Sequence, residues 1–161
     1  MPNIPSTIDQ ILLEHELSQI LIRYATAVDT RELALFDEVF TSDCTSTYGG
    51  DYVCHGVEEL RRMIDLHMGG CGPTQHLLGN LEVDTSDPSR VRSRIHVRAV
   101  HAGAGDRADL RYDAVGYYDD EWVLRPAGWR IHRRRMTLLL EIGDRSVMQP
   151  APQPADRVQR T

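Results

Sequence analysis

The amino-acid sequence predicts an α+β domain, with early helices packed on one face of a strongly curved, mostly antiparallel sheet. Two observations carry this. Apolar residues recur at helical spacing through the N-terminal part of the chain, and from Thr74 onward long segments alternate apolar and polar residues between turn-forming clusters. Helices first and strands afterwards, with no βαβ alternation, is the pattern of an α+β rather than a doubly wound fold.

The elements follow in order. Ser6 or Thr7 is a candidate N-cap, after which Ile8, Ile11, Leu12, Leu17, Ile20, Leu21, Tyr24 and Val28 form one apolar stripe. A second, shorter helix is predicted over Glu32 to Phe40, burying Leu33, Phe36, Val39 and Phe40. Thr45 to Tyr48 and Tyr52 to Cys54 flank Gly49-Gly50-Asp51, a hairpin with glycines where positive φ is needed. A third helix, Val57 to His67, presents Leu60, Met63, Ile64 and Met68 on one face and ends at Gly69-Gly70. Strands are predicted over Thr74 to Val83, Arg90 to His101, Asp109 to Asp119 or slightly beyond, and Trp129 to Ile142. Pro126-Ala127-Gly128 forms the last hairpin loop. Residues 1–148 read as one domain, and the proline-bearing segment 149–161, with no apolar period, as an extended or disordered tail.

Composition narrows the function. At 161 residues one domain can bury a core without disulfides or metal. A net charge of −6 argues against nucleic acid as a partner, since phosphate binding needs a basic surface. Arg90, Arg92, Arg94 and Arg98, and again Arg130, Arg133, Arg134 and Arg135, are read first as solvated strand faces, with a phosphate-binding surface as the second reading. Cys44, Cys54 and Cys71 form no C-x-x-C pair and are read as small buried residues of a reduced, cytoplasmic protein. No basic start precedes an apolar run at the N-terminus, and no stretch approaches the roughly 20 apolar residues that span a bilayer, so no membrane partner is expected.

Two polar residues hold the chemical interest. Asp29 closes Tyr24-Ala-Thr-Ala-Val-Asp29 at the foot of the first helix, and His76 opens the first long strand. An aspartate that orients an imidazole gives a base able to take a proton from carbon near neutral pH. Each residue has a plainer reading. Asp29-Thr-Arg-Glu32 fits a capping box for the second helix, and His76 could sit on a solvated strand face.

The order of elements, with Tyr24-x4-Asp29, the His55-Gly56 turn, His76-x3-Asn80 and Gly128-Trp129-Arg130-Ile131, resembles the nuclear transport factor 2-like superfamily over residues 8–142. Within it the resemblance is to SnoaL-like and scytalone dehydratase-like enzymes, with dehydrochlorinase-like and bile acid 7α-dehydratase-like ones alongside. The resemblance implies a cone-shaped α+β barrel whose sheet wraps the first helix around an apolar pocket, often in a homodimer or homotrimer. It implies that Asp29 hydrogen-bonds a catalytic His76, with Tyr24 as a pocket tyrosine. Asn80, His96 and Tyr48 are the candidate substrate-binding residues, His96 because such relatives use a second histidine on the neighbouring strand. Alternation of His96 with Arg94 and Arg98 suggests an outward face instead. The arginine or tyrosine that helps from the C-terminal strand in those relatives has no clear counterpart, since Met136 and Leu138 stand there.

Other chemistries lack their motifs. His67, His76, His96 and Asp29 have no H-x-x-x-H spacing, so no metal is expected, and neither G-x-S-x-G nor G-x-x-x-x-G-K occurs. His67 reads as a helix C-terminal cap, His55 as a turn contact and His15 as an exposed helix residue. The expected function is a lyase or isomerase, dehydratase-like, that needs no cofactor and acts on a small apolar cyclic substrate. The alternatives are a non-catalytic small-ligand-binding domain of the same fold and the small subunit of a ring-hydroxylating dioxygenase.

Overall fold

The computed structural model describes residues 7–50, 52–87 and 89–149. Helix α1 spans Thr7–Thr30, followed by a 3-10 turn at Leu33–Glu38, strands β1 (Phe40–Tyr48) and β2 (Tyr52–His55), and helix α2 (Val57–Met68). Four long strands follow, β3 (Cys71–Asp87), β4 (Arg90–Gly103), β5 (Arg111–Arg125) and β6 (Gly128–Gly143), with 3-10 turns at Gly105–Arg107 and Arg145–Met148. They form one open six-stranded sheet in the order β2-β1-β6-β5-β4-β3. Every pairing is antiparallel except β1 with β6.

Helices α1 and α2 and the first 3-10 turn pack on the inner face of this mixed sheet. Leu17, Ile20, Leu21 and Val28 of α1 are buried, meeting Ile95, Val97 and Ala99 of β4 and Ile131 of β6 in one core. At 25 cal/mol per Å² of apolar surface, each such side chain contributes roughly 1.5–3 kcal/mol. Ile8, Ile11 and Leu12 continue the stripe in sequence but stay exposed. Gly49 and Gly50 turn the β1–β2 hairpin at φ +61° and +97°, values that a Cβ disfavours.

Several elements differ from the sequence expectation. The second helix is a single 3-10 stretch that buries Phe36, and Phe40 already belongs to β1, where it pairs with Ile131. A six-residue segment with no side-chain cap is poor at sustaining an α-helix. Strands β3 and β5 run further than expected, to Asp87 and Arg125, because cross-strand partners continue through Asp87↔Arg90 and Arg125↔Gly128. Arg134 is not on a solvated face: its side chain is wholly buried. A register shift between Glu121 and Trp122 moves β6 by one residue, so that Arg134 points inward like Ile131. Cys44 and Cys54 are buried and Cys71 half-buried, all as free thiols. Ser6 and the tail beyond Gln149 lie outside the described residues.

Candidate active site

Asp29 lies in the last turn of α1, where the helix dipole disfavours a carboxylate. Its surroundings compensate. Thr74 Oγ1 donates to Oδ1 at 2.9 Å, the backbone N–H of His76 donates to Oδ2 at 2.8 Å, and His76 Nδ1 lies 2.8 Å from Oδ1. Burial pushes the Asp29 carboxyl up, but the hydrogen bonds and charge of His76, helped by Thr74, outweigh it and hold the group below its usual value. The carboxylate thus faces β3 and caps no second helix, whose N-terminal residue Glu32 has no side-chain cap either.

The α1–β3 junction is fixed from behind by Arg31. This residue ends the helix in the left-handed region at φ +66°. Its guanidinium donates to the Val28 carbonyl, to Thr74 Oγ1 at 2.9 Å and to the Gly72 carbonyl at 3.1 Å. Thr74 therefore receives from Arg31 and donates to Asp29, which sets the carboxylate before any ligand arrives.

Because an ionised carboxylate only accepts, Nδ1 of a neutral His76 carries the proton and Nε2 keeps a lone pair. His76 lines a cavity of about 640 Å³ between α1, α2 and the inner sheet face. Most of its wall is apolar, with Val28, Met63, Ile64, Ala114, Met136 and Leu138 among the lining residues. Tyr24 and Tyr48 also line it, their hydroxyls 3.0 Å apart. The Tyr24 ring meets the His76 ring edge-on at 6.4 Å between centroids and Tyr118 at 5.6 Å. Burial, with the neighbouring Tyr24, pushes the Tyr48 phenol well above its usual value, so it stays a neutral donor.

His101 completes the group. It lies on β4 opposite Thr74, its ring 5.7 Å from that of His76, and its Nδ1 lies 3.1 Å from the Tyr112 carbonyl, to which it donates. Burial and the neighbouring His76 push its pKa down to about 4, partly offset by that hydrogen bond. It is a neutral imidazole whose Nε2 can accept a hydrogen bond. Sequence reading passed over His101, although Ile95, Val97, Ala99 and His101 share one parity that points to the core.

Behind the tyrosines sits a second feature missed in the sequence. Arg134 and Asp120 form a bidentate pair, both contacts 2.7 Å, with neither side chain exposed. The guanidinium carbon lies 4.3 Å from the ring centroids of both Tyr24 and Tyr118, in cation–π range. Burial alone would lower the Arg134 pKa, and the Asp120 carboxylate more than restores it, so a fixed positive charge stands against the pocket tyrosines. No local pattern marks this residue, since only the register shift in β6 turns it inward.

The other candidates fall elsewhere. Asn80 is exposed at the β3 register shift, with φ +54°, a conformation asparagine tolerates better than most residues. His96 is exposed on the outer sheet face beside Tyr117, in phase with Arg94 and Arg98. Neither lines the cavity. His67 does, but its Nδ1 is engaged by the Met63 carbonyl at 2.7 Å. His55 uses its backbone N–H to meet Glu59, and His15 is exposed on α1. Among the described residues, no group of three or more His, Cys, Asp or Glu side chains is placed to hold a metal ion, and no helix is long and apolar enough to cross a membrane.

Comparison with known proteins agrees with this architecture. The SnoaL-like domain model matches residues 9–135, and the chain belongs to that family, within the nuclear transport factor 2-like superfamily. An uncharacterized protein of Mycobacterium tuberculosis is 32% identical over 122 residues, covering 74% of this chain and 80% of that protein. A candidate scytalone dehydratase of Novosphingobium aromaticivorans superposes with a TM-score of 0.78 at 17% identity, covering 96% of this chain and 99% of the other. Hexachlorocyclohexane dehydrochlorinase type 3 of Novosphingobium barchaimii gives 0.75 at 14% identity, over 91% and 99%. At such identities these likenesses speak to the fold.

Proposed function

We propose that this protein is a dehydratase-like lyase or isomerase that needs no cofactor and acts on a small, largely apolar cyclic substrate bearing a carbonyl or hydroxyl group. The observation that carries this reading is the 2.8 Å contact of His76 Nδ1 with the Asp29 carboxylate at the wall of a mostly apolar cavity. A volume of about 640 Å³ suits a ring system of modest size.

In a dehydration, His76 Nε2 takes the proton from the carbon next to the carbonyl. The electron pair moves onto the carbonyl oxygen as an enolate, which the Tyr24 and Tyr48 hydroxyls meet with hydrogen bonds. The pair then returns, the bond to the neighbouring hydroxyl breaks, and the imidazolium gives its proton to the departing oxygen as water. Asp29 keeps the imidazole in one tautomer and stabilises its charged form. His101 Nε2 accepts from a substrate hydroxyl and so orients the ring. If no leaving group is present, the same proton transfer returns to a different carbon and the result is isomerisation.

A panel of hydroxylated cyclic ketones in D2O, followed by NMR, tests this through deuterium uptake at carbon and release of water. Wild-type protein is expected to catalyse one or both. His76→Ala should abolish them with the fold intact, Asp29→Asn should lose most, and Tyr24→Phe should cost about 10²-fold. Turnover that survives both His76→Ala and Asp29→Asn would sink the mechanism. Saturable binding without exchange in the wild type would favour a ligand-binding domain.

A further inference from the structure

One cross-strand row runs under the cavity. His76, Ala99, Ala114 and Glu141 are successive partners on β3, β4, β5 and β6. The imidazole stands at one end of the row and a carboxylate at the other, with two alanines of the cavity lining between them. Three strand spacings of about 4.8 Å separate the two ends by about 14 Å along the sheet. Glu141 Oε1 accepts from the Tyr112 hydroxyl at 2.7 Å and meets Arg145 Nη1 at 3.2 Å. Among the described residues that line the cavity, Arg145 is the only lysine, arginine or carboxylate.

The turn after β6 fixes where Arg145 stands. Gly143 takes φ +91°, and a Cβ there would lie 2.1 Å from the Arg111 carbonyl oxygen, so the chain bends away from β5 at a position only glycine fills. Asp144 then accepts from the Ser146 backbone N–H at 2.9 Å, and Arg107 donates to the Ser146 and Gln149 carbonyls. Val147 is fully buried. Arg145 is left 66% exposed, with Nη2 3.7 Å from where a Cβ on Gly49 would lie. Gly49, Tyr52, Leu66 and Arg145 are among the exposed members of the lining and mark its mouth. We propose that Arg145 selects a substrate that carries a carboxylate on a side chain. The ring then lies over Ala99 and Ala114, with its reacting carbon at His76 and its acid at Arg145. This rests on the lyase or isomerase reading of the Asp29–His76 pair and adds the substrate class.

Arginine suits this task. Its planar fork offers five N–H donors, and the contact with Glu141 engages Nη1. Both partners of that pair are exposed, so the pair itself contributes little and Arg145 keeps the freedom to serve a second carboxylate. Glu141 restrains the guanidinium and at the same time opposes an incoming acid by its own charge. Two alanines between the ends of the row leave a smooth floor on which a flat ring can lie. The chain as a whole carries a net charge of −6, which repels acids at long range. A preference for an acid over its neutral ester must therefore come from a local cation.

The test is calorimetric binding of a tetralone that carries a butanoate side chain, set against its methyl ester. Wild-type protein should bind the acid at least about tenfold more tightly than the ester, and added salt should narrow the gap. Arg145→Gln should weaken the acid about tenfold and leave the ester unchanged. Glu141→Gln keeps an acceptor for the Tyr112 hydroxyl but removes the opposing charge, so it should tighten the acid a few-fold. A merely structural role for the pair predicts the reverse, with both variants weakening both probes. Both side chains are exposed, so neither variant endangers the fold. An acid that binds no better than its ester would overturn the proposal, as would neither probe binding. So would an undiminished preference in Arg145→Gln, or a weaker acid in Glu141→Gln. Deuterium exchange at carbon separates this from the mechanism. An acid held tightly without exchange keeps the role of Arg145 and removes the lyase reading, whereas exchange with equal affinity for acid and ester does the opposite.

Discussion

Asp119 and Asp120 are consecutive residues of β5, and each holds an arginine by two hydrogen bonds. Asp119 points outward to Arg94 at 2.7 and 3.1 Å, with both side chains substantially exposed. Asp120 points inward to Arg134 at 2.7 Å twice, with both side chains fully buried. The chemistry is the same and the medium is not. Water screens the outer pair, whose net worth is about 0–1 kcal/mol. The inner pair has lost its hydration, and each ion depends on the other to remain charged. One face of the strand therefore tolerates rearrangement, and the other fixes the wall behind the pocket tyrosines.

The largest effect should come from breaking the inner pair. Arg134→Ala leaves the Asp120 carboxylate buried and unpaired and is expected to cost about 3–5 kcal/mol in denaturant unfolding. Replacing both partners together, Arg134→Met with Asp120→Leu, should recover most of that loss. A single variant that unfolds like the wild type would mean that water reaches the pair.

An intermediate effect should follow pH. His101 binds a proton with a pKa near 4 in the folded protein and about 6.5 in the unfolded chain. Between these values the unfolded state holds more protons, so stability rises with pH across that window and is fully present above it. Lowering pH from about 7 to about 4 should remove on the order of 3 kcal/mol, and His101→Phe should flatten that slope. Asp113 acts lower down. Its carboxyl is held near 2, chiefly by the Arg111 hydrogen bonds against burial and with help from Arg98, so its share of stability is present above about 4 and lost as pH falls through 2.

The smallest effect should be that of the outer pair. Arg94→Ala is expected to change unfolding free energy by less than about 1 kcal/mol. A loss comparable to that of Arg134→Ala would erase the contrast between the two faces.

The same contrast explains what the sequence made legible. Helix α1, the hairpin loops and the succession of long strands follow from periodicity and turn residues, which are local. Asp29, His76 and Tyr24 stand near one another in the structure, and motif resemblance brought them to notice, since periodicity alone left both capping and solvated readings open. His101 was legible from parity and was passed over. Arg134 was not, because a one-residue register shift reverses the face of every residue after it. Alternation cannot reveal a bulge that the partner strand creates. Asn80 and His96 were drawn to the site by the family resemblance, and each faces away for reasons of backbone conformation and strand phase.

The parallel pairing of β1 with β6 sets Phe40 beside Ile131. All of α2, β3, β4 and β5 must be threaded between them before that contact forms, so the chain closes a long loop late. Loop closure over such separations is entropically costly and slows folding toward the millisecond-to-second range of sheet-rich domains. Phe40 meets the Tyr24 ring edge-on, and Arg134 arrives only with β6. A ribosome-bound chain that has made α1 and β3 can already bring Asp29 to His76, yet the tyrosine wall facing them waits for the last strand to leave the exit tunnel.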